Sequence, residues 1–186
     1  MRKIRILNIV PDIYTEGIAV SVKDRQALAA ALKEETGGLV ELESRIVEGG
    51  SESIECFYDS ALAAPYILKL VQQGEKDGFD AIVLDCFLDP ALSECRELVR
   101  IPVMGACQSS CSLAARMAGR FSVIGILDNA DRCIRENIRC YCFERSWHPF
   151  RSFTCQWWNF TTVRRLSWTR LRRLPTKRYG RMAPGR

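Results

Sequence analysis

Apolar and polar positions along the first 141 residues follow two alternating rhythms. "KIRILNIV" (3–10) is a continuous apolar run rich in β-branched residues, the pattern of a strand covered on both faces. Residues 16–35 carry apolar side chains at helical spacing and stop at Gly37-Gly38, a helix C-terminus signal. "LVELESRIV" (39–47) alternates as a strand does and ends at Gly49-Gly50. Residues 57–77 predict a second amphipathic helix, with a kink or break near Pro65 and an end at Gly78. A third strand is expected over "DAIVLDCF" (80–87), a short helix over "PALSECREL" (90–98), and a fourth strand over "IPVMGAC" (101–107). "SSCSLAARMAG" (109–119) predicts a helix closed by Gly119. "RFSVIGIL" (120–127) then predicts another buried strand, and "NADRCIRENIRCY" (129–141) a helix behind an Asn129 cap.

Strand and helix in steady alternation argue for parallel β-α-β units with right-handed crossovers. The expected class is therefore α/β. A doubly wound parallel-sheet first lobe spans 1–118, an incomplete second α/β lobe spans 119–153, and an irregular basic tail spans 154–186.

Composition sharpens that division. The chain has 186 residues, 47% of them apolar, enough for a proper buried core, and shows no repeat or low-complexity tract. Its net charge of +5 arises in one place: residues 151–186 hold ten Lys and Arg and no Asp or Glu, while residues 1–150 hold 17 basic and 22 acidic side chains, a balance of −5. The opening "MRKIRILNIVPD" has only about six apolar residues before Pro11, too few for a signal core or a bilayer span, so a cytosolic (cytoplasmic) chain with no membrane partner is expected. Nine cysteines, an odd number without the spacing of a secreted scaffold, are expected to be mostly free thiols. Metal binding is disfavoured: His148 is the sole histidine, and the tightest cysteine cluster is Cys140-x-Cys142 with Cys133 nearby. No metal or cofactor is expected.

In open parallel sheets, ligands bind at the carboxyl ends of the strands. That rule selects Asn8, the Gly49-Gly50-Ser51 turn, Cys86-Phe87, and the Ala106-Cys107-Gln108-Ser109-Ser110 run. Cys86 follows an apolar strand, and Pro90 can open a helix whose first N–H groups would favour a thiolate there. The plainer reading of Cys86 is a buried structural thiol. Asn8 could equally cap a strand end, and Ser109 and Ser110 could be a helix N-cap pair.

"SIECFYDSALAAPYI", "EKDGFDAIVLDCFLDPALSECREL", "IPVMGACQSS" and "RFSVI" occur in the order and spacing seen in the aspartate/glutamate/hydantoin racemase superfamily. The Cys-Phe-x-Asp-Pro element most resembles the hydantoin and allantoin racemase branch, and the likeness covers roughly residues 3–153. The resemblance implies a two-lobed enzyme that inverts a carbon beside a carbonyl without metal, flavin or pyridoxal. Two cysteines, one per lobe, serve the two faces of the stereocentre. Cys86 matches the first-lobe cysteine. Asn8, Ser51, Phe87, Ser109 and Ser110 fall where substrate would be held. Gly125 and Ile126 stand where the family often places hydroxyl residues, and the late Gly-Cys pair that carries the second cysteine has no counterpart: Cys133, Cys140, Cys142 and Cys155 all lie too early. The expected activity is thus an impaired racemase acting on a hydantoin, allantoin or amino-acid-like molecule. The alternatives are a small-molecule-binding pseudoenzyme, or a decarboxylase or cis-trans isomerase on the same fold. The expected partner is a small-molecule substrate, with self-association into a homo-oligomer also open.

The tail, with Trp157, Trp158, Trp168 and Tyr179 among its arginines, has the composition of a nucleic-acid contact, a reading that ranks below a misread frame. Trp and Met have single codons, so some codons in a shifted frame are determined. The last base of Trp157 with the first two of Trp158 encodes Val; Trp158 into Asn159 encodes Glu; Trp168 into Thr169 encodes Asp; Met182 into Ala183 encodes Gly. The shifted text supports an apolar strand followed by an Asp-Gly-Ala turn, which in the family precedes the second cysteine. Resequencing the gene is expected to expose a displaced frame upstream of Cys155. A clean read through Arg186, with the same tail in intact relatives, would refute it.

Overall fold

The computed structural model describes residues 2–124 and 128–148, with the backbone alone at 16–21 and 128–129. The expected basic tail (154–186) and residues 125–127 of the expected fifth strand lie outside the described residues. The elements run β1 (Ile4–Val10), α1 (Glu16–Glu35), β2 (Val40–Ile46), α2 (Phe57–Lys76), β3 (Ala81–Leu84), α3 (Leu92–Leu98), β4 (Val103–Gly105), α4 (Ala106–Ala118) and α5 (Asp128–Cys140). All strand pairs are parallel, in the order β2-β1-β3-β4. The α/β class follows directly from this alternation.

The strand order agrees with burial. β1 lies between two neighbours, and its Leu7, Ile9 and Val10 are wholly enclosed, as are Ile82 and Leu84 of β3. β2 sits at an edge, and its burial does not alternate as its sequence does: Glu43 and Ser44 are both exposed and its other residues half-buried. β1 registers Ile4 against Val40 on one side and Ile6 against Ala81 on the other. Because the chain steps to one side of β1 for β2 and to the other for β3, the topological switch falls between β1 and β3.

Several boundaries differ from the sequence expectation, each for a local reason. The α2 helix runs unbroken through Pro65; that residue is exposed, so water can serve the carbonyl left without an N–H partner. β3 ends at Leu84 and β4 at Gly105, because the chain turns where the sheet's ladder stops. α4 begins at Ala106, not at Ser109, so Ser109 and Ser110 are its fourth and fifth residues and cap nothing. α5 begins at Asp128, so Asn129 lies inside the helix instead of ahead of it. Within 120–124 only Phe121 is bridged, to Trp147, since no strand among the described residues lies alongside to extend a ladder.

α2 buries Ala63, Ile67 and Val71, and Cys133, Ile134 and Ile138 of α5 join the same apolar cluster as the sheet. One core therefore spans the expected division near residue 118. Burying each such Ile or Leu contributes about 1.5–3 kcal/mol. Leu113 and Met117 of α4, with Ile124 beyond it, remain exposed. Among the described residues no helix is long and apolar enough to cross a membrane.

α2 approaches the sheet closely at Gly74, where an added Cβ would lie 2.6 Å from Leu7 Cδ2 and 3.3 Å from Ile82 Cδ1. Gly74→Ala would recover about 1 kcal/mol of helix propensity. Overpacking against two enclosed side chains costs about 1–3 kcal/mol. The expected net result is a lower urea midpoint with an unchanged slope; a midpoint at or above the parent's would show that Leu7 yields freely.

Candidate active site at the strand ends

The crevice is built on the segment 85–91, which links β3 to α3. The Asp85 N–H donates to Ile9 O (2.8 Å) and ties the start of this segment to β1. The chain then turns sharply: Asp89 N–H donates to Cys86 O (3.1 Å), and both Asp89 (φ 47°) and Ala91 (φ 55°) adopt left-handed backbone. For residues with a Cβ that conformation costs about 1–2 kcal/mol each. What holds it is the Asp89 side chain, only 6% exposed. Its Oδ1 accepts the Cys107 N–H (2.9 Å), and its Oδ2 accepts the Gln108 N–H (2.8 Å) and the Tyr141 hydroxyl (2.9 Å).

This carboxylate satisfies two free N–H groups in the first turn of α4, a task usually performed by an N-cap side chain. Gly105 occupies the cap position, and the space requires glycine: a Cβ there would meet the Asp89 carboxyl carbon at 2.6 Å. Asn137 of α5 donates to Leu88 O (2.9 Å), so Asn137 and Tyr141 together clamp the turn that follows Cys86.

A cleft of about 650 Å³ opens beside this turn. Cys86, Phe87 and Ser110 line it, together with Ser53, Ile54, Cys111 and Ile134. Of the residues expected from sequence, Asn8, Ser51 and Ser109 are not on its wall. Asn8 is buried, where its Nδ2 donates to Ser44 Oγ (3.2 Å) and to Asp85 Oδ2 (3.0 Å), an oxygen that also accepts Arg25 Nε (2.5 Å). Asn8 therefore orients the residue preceding Cys86. The Ser51 hydroxyl is buried and has no hydrogen-bond partner among the described residues.

Electrostatics correct one expectation. Helix α3 starts only at Leu92, after the left-handed Ala91, and spans seven residues, so Pro90 does not open a helix toward Cys86. Burial pushes the Cys86 thiol up to about 12, and the carboxylates of Asp12, Asp89 and Asp85 add to it; the Leu88 N–H offsets only part. Burial likewise raises Asp12 and Asp89, against the N–H donors that each accepts. Cys86 is thus a proton-bearing thiol at neutral pH. Elsewhere on the cleft wall, Cys111 Sγ lies 3.9 Å from Cys107 Sγ. Either sulfur can donate in this contact, which pushes the Cys107 thiol up and the Cys111 thiol down from the ordinary range, and both side chains are enclosed.

Sequence reasoning missed Asp89, Gly105 and Cys111. Asp89 sat in view inside the Cys-Phe-x-Asp-Pro element, but nothing in one dimension showed that its carboxylate reaches helix α4. Cys111 carried the faint signal of following Cys107 by one helical turn.

A cleft beyond the carboxyl ends of β2 and β3 of a parallel sheet, walled by a thiol after a central strand, defines an α/β protein with a ligand-sized pocket. The family model for Asp/Glu/hydantoin racemases matches residues 19–148, and the chain belongs to that family. Among curated relatives it is 35% identical over 96 residues to a hydantoin racemase of Pseudomonas sp. (strain NS671), covering 52% of this chain and 39% of that protein. It is 38% identical over 100 residues to a hydantoin racemase of Rhizobium meliloti, covering 54% of this chain and 42% of that protein. The solved structure of an allantoin racemase from Klebsiella pneumoniae superposes with a TM-score of 0.70 at 26% identity, over 81% of this chain and 58% of that one. The chain therefore spans about two fifths of the length of the curated relatives it matches.

The protonation of Cys86 has a direct readout. Its iodoacetamide alkylation, followed by peptide mass mapping, is expected to climb roughly tenfold per pH unit from about pH 7 to 9 with no plateau. A plateau near neutral pH would mean that donors, not burial, govern the thiol.

Proposed function

We propose that this chain acts as a cofactor-independent racemase, inverting a carbon next to a carbonyl in a hydantoin, allantoin or amino-acid-like substrate, with Cys86 as an acid–base thiol. The observation that carries the reading is the position of Cys86: it follows central strand β3, on the wall of a cleft that it shares with Ser53 and Ile54 beyond β2 and with residues of α4 and α5. Inversion requires proton removal on one face of the stereocentre and delivery on the other. A thiol pushed up to about 12 is suited to the delivering role. The apolar wall formed by Ile54, Phe87, Leu88 and Ile134 fits a planar, largely neutral ring, and the Ser53 and Ser110 hydroxyls offer it hydrogen bonds.

Residues 119–153 fit the start of a second lobe in this reading, with Asn137 and Tyr141 bracing the first. Cys133 is buried, Cys140 and Cys142 are exposed, and none of the three is on the cleft wall. Turnover is accordingly expected to fall below that of the longer relatives.

Chiral chromatography of single-enantiomer hydantoins, allantoin and aspartate tests the proposal. The chain is expected to racemise at least one of them, and Cys86→Ser to slow it by about 100-fold or more, the usual worth of a positioned acid or base. Racemisation at the parent rate in Cys86→Ser would overturn the role of that thiol. A ligand-raised melting temperature without any chiral conversion would instead make the chain a binding module.

A further inference from the structure

Resting on the racemase reading, we propose that the stretch of cleft wall from α4 to α5 holds a neutral, apolar substituent on the substrate's stereocentre, and that Ala114 and Ala130 set the size it can have. That stretch consists of Ala114 from α4, Phe121, Val123 and Ile124 from the chain after it, and Ala130 and Ile134 from α5. Ser122 is the one polar side chain among them. The other hydroxyls on the wall come from Ser53, ahead of α2, and Ser110, the fifth residue of α4.

The carbon that inverts carries its hydrogen, the ring bonds and the substituent, so the substituent must share the cleft with the Cys86 thiol that serves that carbon. At about 650 Å³ the cleft is far larger than a bare hydantoin ring. An aromatic-sized apolar group fills the remainder, gains dispersion contacts with the wall and buries its own surface. Phe87 and Phe121, both on the wall, suit edge-to-face contact with such a ring. Ala114 and Ala130 contribute only a methyl each, from two helices, so space stays open that a Leu at either position would fill.

Charge points the same way. Among the described residues the wall carries no charged side chain. The carboxylates of Asp12, Asp89 and Asp85 act on Cys86, and Arg25, which is bonded to Asp85, is not on the wall. A carboxylate on the substrate would lose hydration, find no cation on the wall and meet like charge. A ureido substituent, with several donors and an acceptor, would have Ser122 as its one side-chain partner in this stretch and would leave polar groups unpaired. Neutral hydrocarbon incurs neither cost.

A ligand series on the whole chain at neutral pH tests this, with binding read by calorimetric titration and racemisation by chiral chromatography. 5-Benzylhydantoin is expected to bind about tenfold tighter, or more, than 5-methylhydantoin or allantoin. The methyl ester of hydantoin-5-acetic acid is expected to bind about tenfold tighter than the free acid. Ala114→Leu and Ala130→Leu are each expected to cut the benzyl-to-methyl preference by about tenfold. Should either fold poorly, Ala114→Val and Ala130→Val replace them, with a smaller cut in the same direction. Allantoin or the free acid binding as tightly as 5-benzylhydantoin, or a preference that neither alanine substitution moves, would overturn the inference. Racemisation of the whole series at similar kcat/KM would overturn it too and leave the racemase reading standing. Preferred binding of 5-benzylhydantoin without chiral conversion would do the opposite, upholding the pocket's selectivity and sinking the racemase reading. Neither binding nor conversion of any ligand would overturn both.

Discussion

The buried Asp89 carboxylate is the contact on which the rest of the site depends. It joins three pieces of chain that are distant in sequence: the turn after β3, the first turn of α4, and Tyr141 beyond α5. Its bond to the buried Cys107 N–H satisfies a donor that would otherwise be left unpaired at about 1–3 kcal/mol, and the half-buried Gln108 and Tyr141 donors add to it. That is comparable with the strain of the two left-handed residues in the turn, which persist because the surroundings over-determine them. The arrangement also explains Gly105, whose missing side chain is the space the carboxylate fills.

A buried negative charge next to several thiols has a chemical consequence. Asp89 works against ionisation of Cys86, Cys107, Cys111 and Tyr141 alike, so the neighbourhood as a whole retains protons. Cys111 has in addition a thiol contact to Cys107 at 3.9 Å, which pulls its proton affinity down. Asn8 and Arg25, converging on Asp85, brace the residue just ahead of Cys86.

Family membership rests on the region the chain shares with its relatives, residues 19–148 by the family model. That region holds β2, β3, β4 and the whole of the turn that carries Cys86. The solved allantoin racemase is longer, since this chain covers 58% of it. The wall of the cleft nevertheless draws on both ends of the shared region, with Ile54 ahead of α2 and Ile134 of α5 facing one space.

The order and type of the elements through α4 were legible in the chain because enclosure of β1 and β3 leaves unbroken apolar runs, while helices against a sheet carry apolar residues at 3.6-residue spacing. The Cys-Phe-x-Asp-Pro element likewise pointed to the turn after β3 as the chemical centre. Element ends were less legible, since a strand ends where its neighbour stops, and α4 starts early because a carboxylate from a preceding turn serves its N–H groups. Asn8 and Ser109 have the right chemistry at the right strand ends, yet packing turns them to other work or leaves them off the cleft. Sequence alone thus determined the periodicities and the one thiol placed after a central strand, because those are local patterns. Tertiary structure decided that Asp89 braces α4, that Cys86 holds its proton and that Cys107 shares one with Cys111, because each depends on burial and on distances between residues far apart in the chain.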